Sequence, residues 1–148
     1  MKTFFFPKPI FSQGYSIFLL ALRIFFGLMI MMHGLDKLGN YTEMYFTFPD
    51  PLGIGSEISI ALVIFGELCC SIAFIIGFLY RIFIIPMIIV MGTAFFYIHN
   101  GSIPNGELAF VYLIILIVMY ITGPGKYSVD TIIYNRLNKN NEEDAFEY

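Results

Sequence analysis

Two charged residues stand where charge is costly. Arg23 and Glu67 each interrupt a long apolar run, and a charge near the centre of a membrane helix costs roughly 2.5–3.5 kcal/mol on insertion scales. Residues held against such a cost either pair or do chemistry. A second set gathers at run ends: His33, Asp36 and Lys37 close the first run, His99 closes the third and Glu107 opens the fourth. Two imidazoles, two carboxylates and an ammonium at one membrane face could move protons, bind a metal, or hold a quinone head group by hydrogen bonds. The same residues also serve elsewhere as plain caps and snorkelling anchors, and Glu107 is well placed to complement a helix N-terminus.

The elements that must position these residues follow from composition. The chain has 148 residues, 58% of them hydrophobic and 13% charged, against about 45–50% apolar and 25% charged in a soluble domain. Mean hydropathy is +0.78. A globule this small buries too little of its surface to hide that much apolar side chain. A soluble fold is therefore excluded, and so is disorder. The net charge of −3 gives no basic footprint, and no nucleic acid is expected as partner.

Four runs approach the ~20 residues that cross ~30 Å of hydrocarbon as a helix. They cover about Tyr15–Gly34, Glu57–Leu79, Arg81–His99 and Glu107–Thr122. The expected fold is an all-α bundle of four transmembrane helices. Helices two and three meet in a tight hairpin at Phe78–Arg81, while a long aromatic and proline-bearing connection, about Leu35–Ser56, lies at the interface and could hold a short helix. Gly123-Pro124-Gly125 stops the fourth helix. Ser128 then caps a short amphipathic helix with Asp130 in its first turn and Ile132, Ile133 and Leu137 toward lipid. The chain divides into an N-terminal interfacial segment 1–14, a four-helix domain 15–130, and a cytoplasmic tail 131–148 whose polar end, from Asn138, is expected to fray.

Orientation follows the positive-inside rule. Lys2, Lys8, Arg81, Lys126, Arg136 and Lys139 fall on one side and Lys37 on the other, which puts both termini in the cytoplasm. The chain has no Trp, so interfacial belts would rest on Tyr15, Tyr80, Tyr97, Tyr120 and Tyr127. Cys69 and Cys70 are adjacent, point about 100° apart on a helix, and read as packing residues rather than a disulfide.

Depth and face bring the two intramembrane charges into one argument. Arg23 lies ~12 Å inside the Tyr15 edge and Glu67 ~18 Å inside the Leu79 edge, a gap of ~6 Å. Gly27, Ile30 and Gly34 share the Arg23 face; Ser56, Ile60, Ser71 and Phe74 share that of Glu67. Both faces carry small residues of the kind that let membrane helices approach. The expected arrangement is an interior Arg23–Glu67 pair. Side chains lean toward their helix N-terminus, however, which moves these two apart. The alternative has Arg23 snorkelling to the headgroups and Glu67 protonated.

Metal chemistry has little behind it. His33 and His99 show no metal-ligand spacing, so no metal is expected, and a haem between them has nothing else to recommend it. Walker, dinucleotide and nucleophile-elbow motifs are absent from the sequence.

The order of these features resembles the DoxX family of four-helix bacterial inner-membrane proteins. The features that carry the resemblance are Arg23, His33-Gly34-Leu35-Asp36-Lys37-Leu38, Gly66-Glu67-Leu68, the Gly77…Arg81 hairpin, His99 and Glu107, and above all Gly123-Pro124-Gly125-Lys126-Tyr127-Ser128-Val129-Asp130. That resemblance implies an accessory subunit of a quinone-linked or other redox complex, with redox proteins as partners. If it is an enzyme at all, it would be as a subunit of a quinone-linked oxidoreductase; the cofactor is left open, with quinone one candidate and haem not expected. A membrane scaffold without its own chemistry and a small transporter using the buried charges are the competing readings, and the partners to consider include a second copy of the chain as a homo-oligomer. No duplicated halves or paired broken helices support transport.

Overall fold

The computed structural model describes residues 12–145, with side chains through residue 138. The expected interfacial segment 1–14 lies outside the described residues except for its last three, and so does the end of the tail. Among the described residues the fold is all helix and turn, without strands. Four helices are long and apolar enough to cross a membrane: α1 (Gln13–Gly39), α3 (Ser56–Ile76), α4 (Tyr80–Ile98) and α5 (Ile103–Thr122). A single turn, α2 (Tyr41–Met44), lies in the first connection, and α6 (Val129–Ala145) follows the last span.

α1 outruns its expected end at Gly34 by five residues, because Asp36, Lys37 and Leu38 continue the helical pattern until Asn40 stops it. α6 likewise continues past Asn138 to Ala145, so the tail keeps helical backbone where fraying was expected. In α5, Gly106 leaves helical geometry (φ −120°, ψ 28°), and the regular helix begins at Glu107, the expected start.

Close packing follows the small residues. A Cβ on Gly34 would stand 2.9 Å from the Leu68 backbone nitrogen, and one on Gly66 would stand 2.8 Å from Cγ2 of Val90. Gly34 thus joins α1 to α3, and Gly66 joins α3 to α4. The core between them holds Ile30, Cys70, Phe74, Tyr80, Ile84, Met87, Tyr112 and Leu116. The buried face of α1 is Ser16, Leu19, Arg23, Gly27, Ile30 and Gly34, as the helical periodicity predicts. Tyr80 departs from its expected interfacial place: it is wholly buried, stacked on Phe74, with its hydroxyl donating to the Met119 carbonyl. Both cysteines are free, Cys70 buried and Cys69 facing outward.

Two spans contain a π-helical turn, Phe65–Cys69 in α3 and Ala94–Ile98 in α4. Such turns fit one extra residue into a helix and are frequent at functional sites. One carries Glu67; the other ends against His99.

Candidate functional site

Arg23 and Glu67 are both buried in the bundle interior, 1% and 5% exposed, but they do not pair. Arg23 turns toward the start of α1. Its Nη1 donates to the Pro124 carbonyl at 2.6 Å and its Nη2 to the Tyr127 carbonyl at 2.7 Å. Glu67 turns toward the start of α3, where Lys37 Nζ donates to its Oε2 at 2.7 Å. The physical reason is the lean of helical side chains toward their N-termini. On antiparallel neighbours it carries Arg23 and Glu67 apart, and it brings Lys37, ~21 Å further along α1 than Arg23, down onto Glu67.

The Arg23 end is a closed structure. Gly123-Pro124-Gly125 turns the chain back beneath the bundle, and the Pro124 carbonyl, together with that of Tyr127 three residues on, receives the guanidinium. Gly77, at the α3–α4 hairpin, has φ +70°, and a Cβ there would lie 2.7 Å from Arg23 Nη1. Leu79 has φ +42°, a left-handed conformation that costs an L-residue roughly 1–2 kcal/mol. Asp130 offsets that cost. Its carboxylate accepts from the backbone nitrogens of Leu79 (2.8 Å) and Tyr80 (2.9 Å), capping α4, while its own nitrogen donates to the Gly77 carbonyl. Burial raises the Asp130 carboxyl above its usual range, countered by those two N–H groups and by Arg23. Ser128 caps α6 as expected, accepting from the Thr131 nitrogen at 3.2 Å. Residues 123–130 therefore form a strap that ties α1, the hairpin and α6 together.

The Lys37 end is open. A cavity of about 390 Å³ lies between the end of α1, the first half of α3, the second half of α4 and the connection 44–54. Its polar groups are Lys37, Glu67, His99, Ser59 and Thr93; Phe48, Pro49, Leu62, Val63 and Ile89 are among its apolar walls. The Lys37 and Glu67 side chains are 21% and 7% exposed, so the pair sits at the wet edge of an apolar chamber. Asp50 holds the roof: it accepts from the nitrogens of Ile54 (3.0 Å) and Gly55 (2.7 Å) and from the Ser59 hydroxyl (2.9 Å). These contacts, the Gly55 N–H foremost, hold the Asp50 carboxyl below its usual range.

The five residues expected to cluster at this face divide. Lys37 and His99 line the cavity. His33 does not line it; its ring lies edge-on to Tyr112 at 5.9 Å. Asp36 is exposed and accepts from the Asn40 side chain; Glu107 is exposed at the start of regular α5. Neither lines the cavity. Among the described residues no three His, Cys, Asp or Glu side chains come together as a metal set.

Sequence reasoning missed Asp50, Ser59 and Tyr112. Asp50 looked like one loop acid among several, because it stands too far before Ser56 to read as an N-cap. Tyr112 is 2% exposed, and its hydroxyl finds no partner among the described residues; nothing in its uniformly apolar surroundings marks it.

The family model that matches this chain is DoxX, over residues 18–100. That stretch is more than half of the 148 residues and contains Arg23, Lys37, Glu67 and His99. The chain belongs to the DoxX family. The strap, residues 123–130, falls outside the matched stretch. This DoxX protein is also similar to an uncharacterized protein of Haemophilus influenzae, at 30% identity over 129 residues, covering 81% of this chain and 85% of the relative. No solved structure matches it.

Proposed function

We propose that this DoxX protein is an accessory subunit of a quinone-linked redox complex in the bacterial inner membrane, with both termini in the cytoplasm. One observation carries the reading: an apolar cavity at one end of the bundle with a donor, Lys37, and an acceptor, Glu67, side by side in its wall. A quinone carbonyl accepts from the ammonium, and a quinol hydroxyl donates to the carboxylate. His99 offers a further ring nitrogen at the cavity wall. The pattern of mostly apolar walls with a few convergent polar groups is that of small-molecule sites.

The test is binding of a short-tailed quinone, decylubiquinone, to the purified protein in nanodiscs. Saturable binding that weakens in Lys37→Met and His99→Ala supports the head-group site. Absence of saturable binding removes it.

A scaffold role is the second reading, and the strap favours it. Arg23 and Asp130, the costly buried charges at that end, spend their hydrogen bonds inside the chain. Lys126 and Tyr127 are left exposed on the strap, available to a partner protein. Gentle solubilisation from native membranes separates the two: a stoichiometric redox partner supports the subunit reading, and recovery of the bare protein counts against both.

A further inference from the structure

The cavity is roofed and open at the side. Its roof, the connection 44–54, is fastened to the start of α3 by the hydrogen bonds that Asp50 accepts from the Gly55 nitrogen and the Ser59 hydroxyl. Its floor is the contact of Gly66 with Val90 and the Pro86 carbonyl. Between floor and roof α3 and α4 part. Leu62 and Val63 form one wall and Ile89, Thr93, Ala94 and Ile98 the other. Leu62, Ile89 and Ile98 line the cavity and are 49%, 57% and 44% exposed. A residue that does both stands at an opening. This opening is bordered by aliphatic side chains on two membrane-spanning helices, so it faces lipid.

We infer that the site takes its ligand sideways from the bilayer, between α3 and α4, with the head group on Lys37 and Glu67 and an apolar tail lying in the gap. The inference rests on the quinone reading and adds route and tail position. Size supports it. About 390 Å³ is at the small end of ligand pockets; it holds a substituted ring and the first carbons of a tail, and the rest must leave through an apolar exit. The π-turn in each wall places an extra residue beside that exit.

The absence of Trp from the chain makes a direct test simple. Ile98→Trp puts the chain's single Trp at the opening, excited selectively over its ten tyrosines, where a bound quinone quenches it. In nanodiscs, decylubiquinone is compared with the tail-less 2,3-dimethoxy-5-methylbenzoquinone, each with and without the plug Leu62→Phe/Ile89→Phe; Ile89→Phe alone is a milder plug should the double variant not fold. The plug is expected to weaken decylubiquinone by about tenfold, equivalent to roughly two methylenes losing their contacts, and to leave the tail-less ring within about twofold, less than one methylene's share. Equal effects on both quinones, or none on either, overturn the tail's position while leaving the head-group site standing. No saturable quenching in the unplugged reporter overturns the head-group site and this route together.

Discussion

Lys37 Nζ lies 2.7 Å from Glu67 Oε2, joining the last turns of α1 to the π-turn of α3. Glu67 is the more buried partner, so the loss from removing one side is asymmetric. Lys37→Met strands a carboxylate against apolar walls, whereas the double variant Lys37→Met/Glu67→Gln removes both charges. Breaking a buried pair costs about 3–5 kcal/mol, and the exposed edge here brings Lys37→Met nearer about 2 kcal/mol. The double variant is expected to recover at least half of that. Thermal unfolding of the four proteins of the cycle in one detergent measures the coupling.

Arg23 holds two carbonyls with one planar fork. Lysine keeps the charge and cannot span both. Arg23→Lys is expected to destabilise the strap by about 1.5–3 kcal/mol, the range for a hydrogen bond to a charged group. Trypsin reports it: cleavage after exposed Lys126, slow while the strap is seated, should accelerate in the variant and be read by mass spectrometry.

Asp130 gives a pH signature. Its carboxyl is raised in the folded protein, so the folded state binds that proton more tightly than the unfolded one. This contribution is complete below the unfolded pKa near 3.8 and is lost as pH rises through the folded value. Asp130→Asn should flatten the stability profile over that window. Losing the carboxylate cap on Leu79 and Tyr80 should also cost about 1 kcal/mol.

Asp50 has the opposite sign. Its carboxyl is lowered, so its contribution is present above the unfolded pKa near 3.8 and lost as pH falls through the folded value. Asp50→Ala at neutral pH should therefore reproduce what acid does to the wild type: faster hydrogen exchange at the Ile54 and Gly55 amides. Unchanged exchange in the variant would show that the roof is held by other contacts.

At Gly34, α1 lies directly against the backbone of α3. A Cβ would fall within 3.0 Å of the Glu67 carbonyl carbon and of the Leu68 nitrogen, and backbone cannot move aside as a side chain can. Gly34→Val is expected to cost about 1–3 kcal/mol, the range for overpacking, and to lengthen the Lys37–Glu67 contact one turn away. A melting temperature equal to wild type would refute this.

Much of the bundle was legible because composition and period decide it. The spans, the hairpin, the interior faces of α1 and α3 and the Ser128 cap all follow from rules local to the chain. The pairing of Arg23 was not. Depth along each helix was readable, but the decisive quantity was the direction of lean, and the guanidinium is taken by the backbone carbonyls of Pro124 and Tyr127, which no acidic side chain announces. The cavity was half legible. His99 and Lys37 were placed at the right end, and Glu67 was seen as interior. Its extent depends on where α3 leaves α4, and the two π-turns there have no periodic signature in a run apolar on every side.

The strap has a consequence for how the molecule is made. The carbonyl partners of Arg23 lie 101 and 104 residues further along the chain. During synthesis the first span is finished long before anything exists to receive its guanidinium. The cation must wait at the membrane edge, and the α3–α4 turn must hold the unfavourable geometry of Leu79 without the Asp130 carboxylate. Only when residues 124–130 emerge do both find their partners. The bundle is sealed by a segment made after all four spans, and a chain cut short before Pro124 carries an unsealed positive charge.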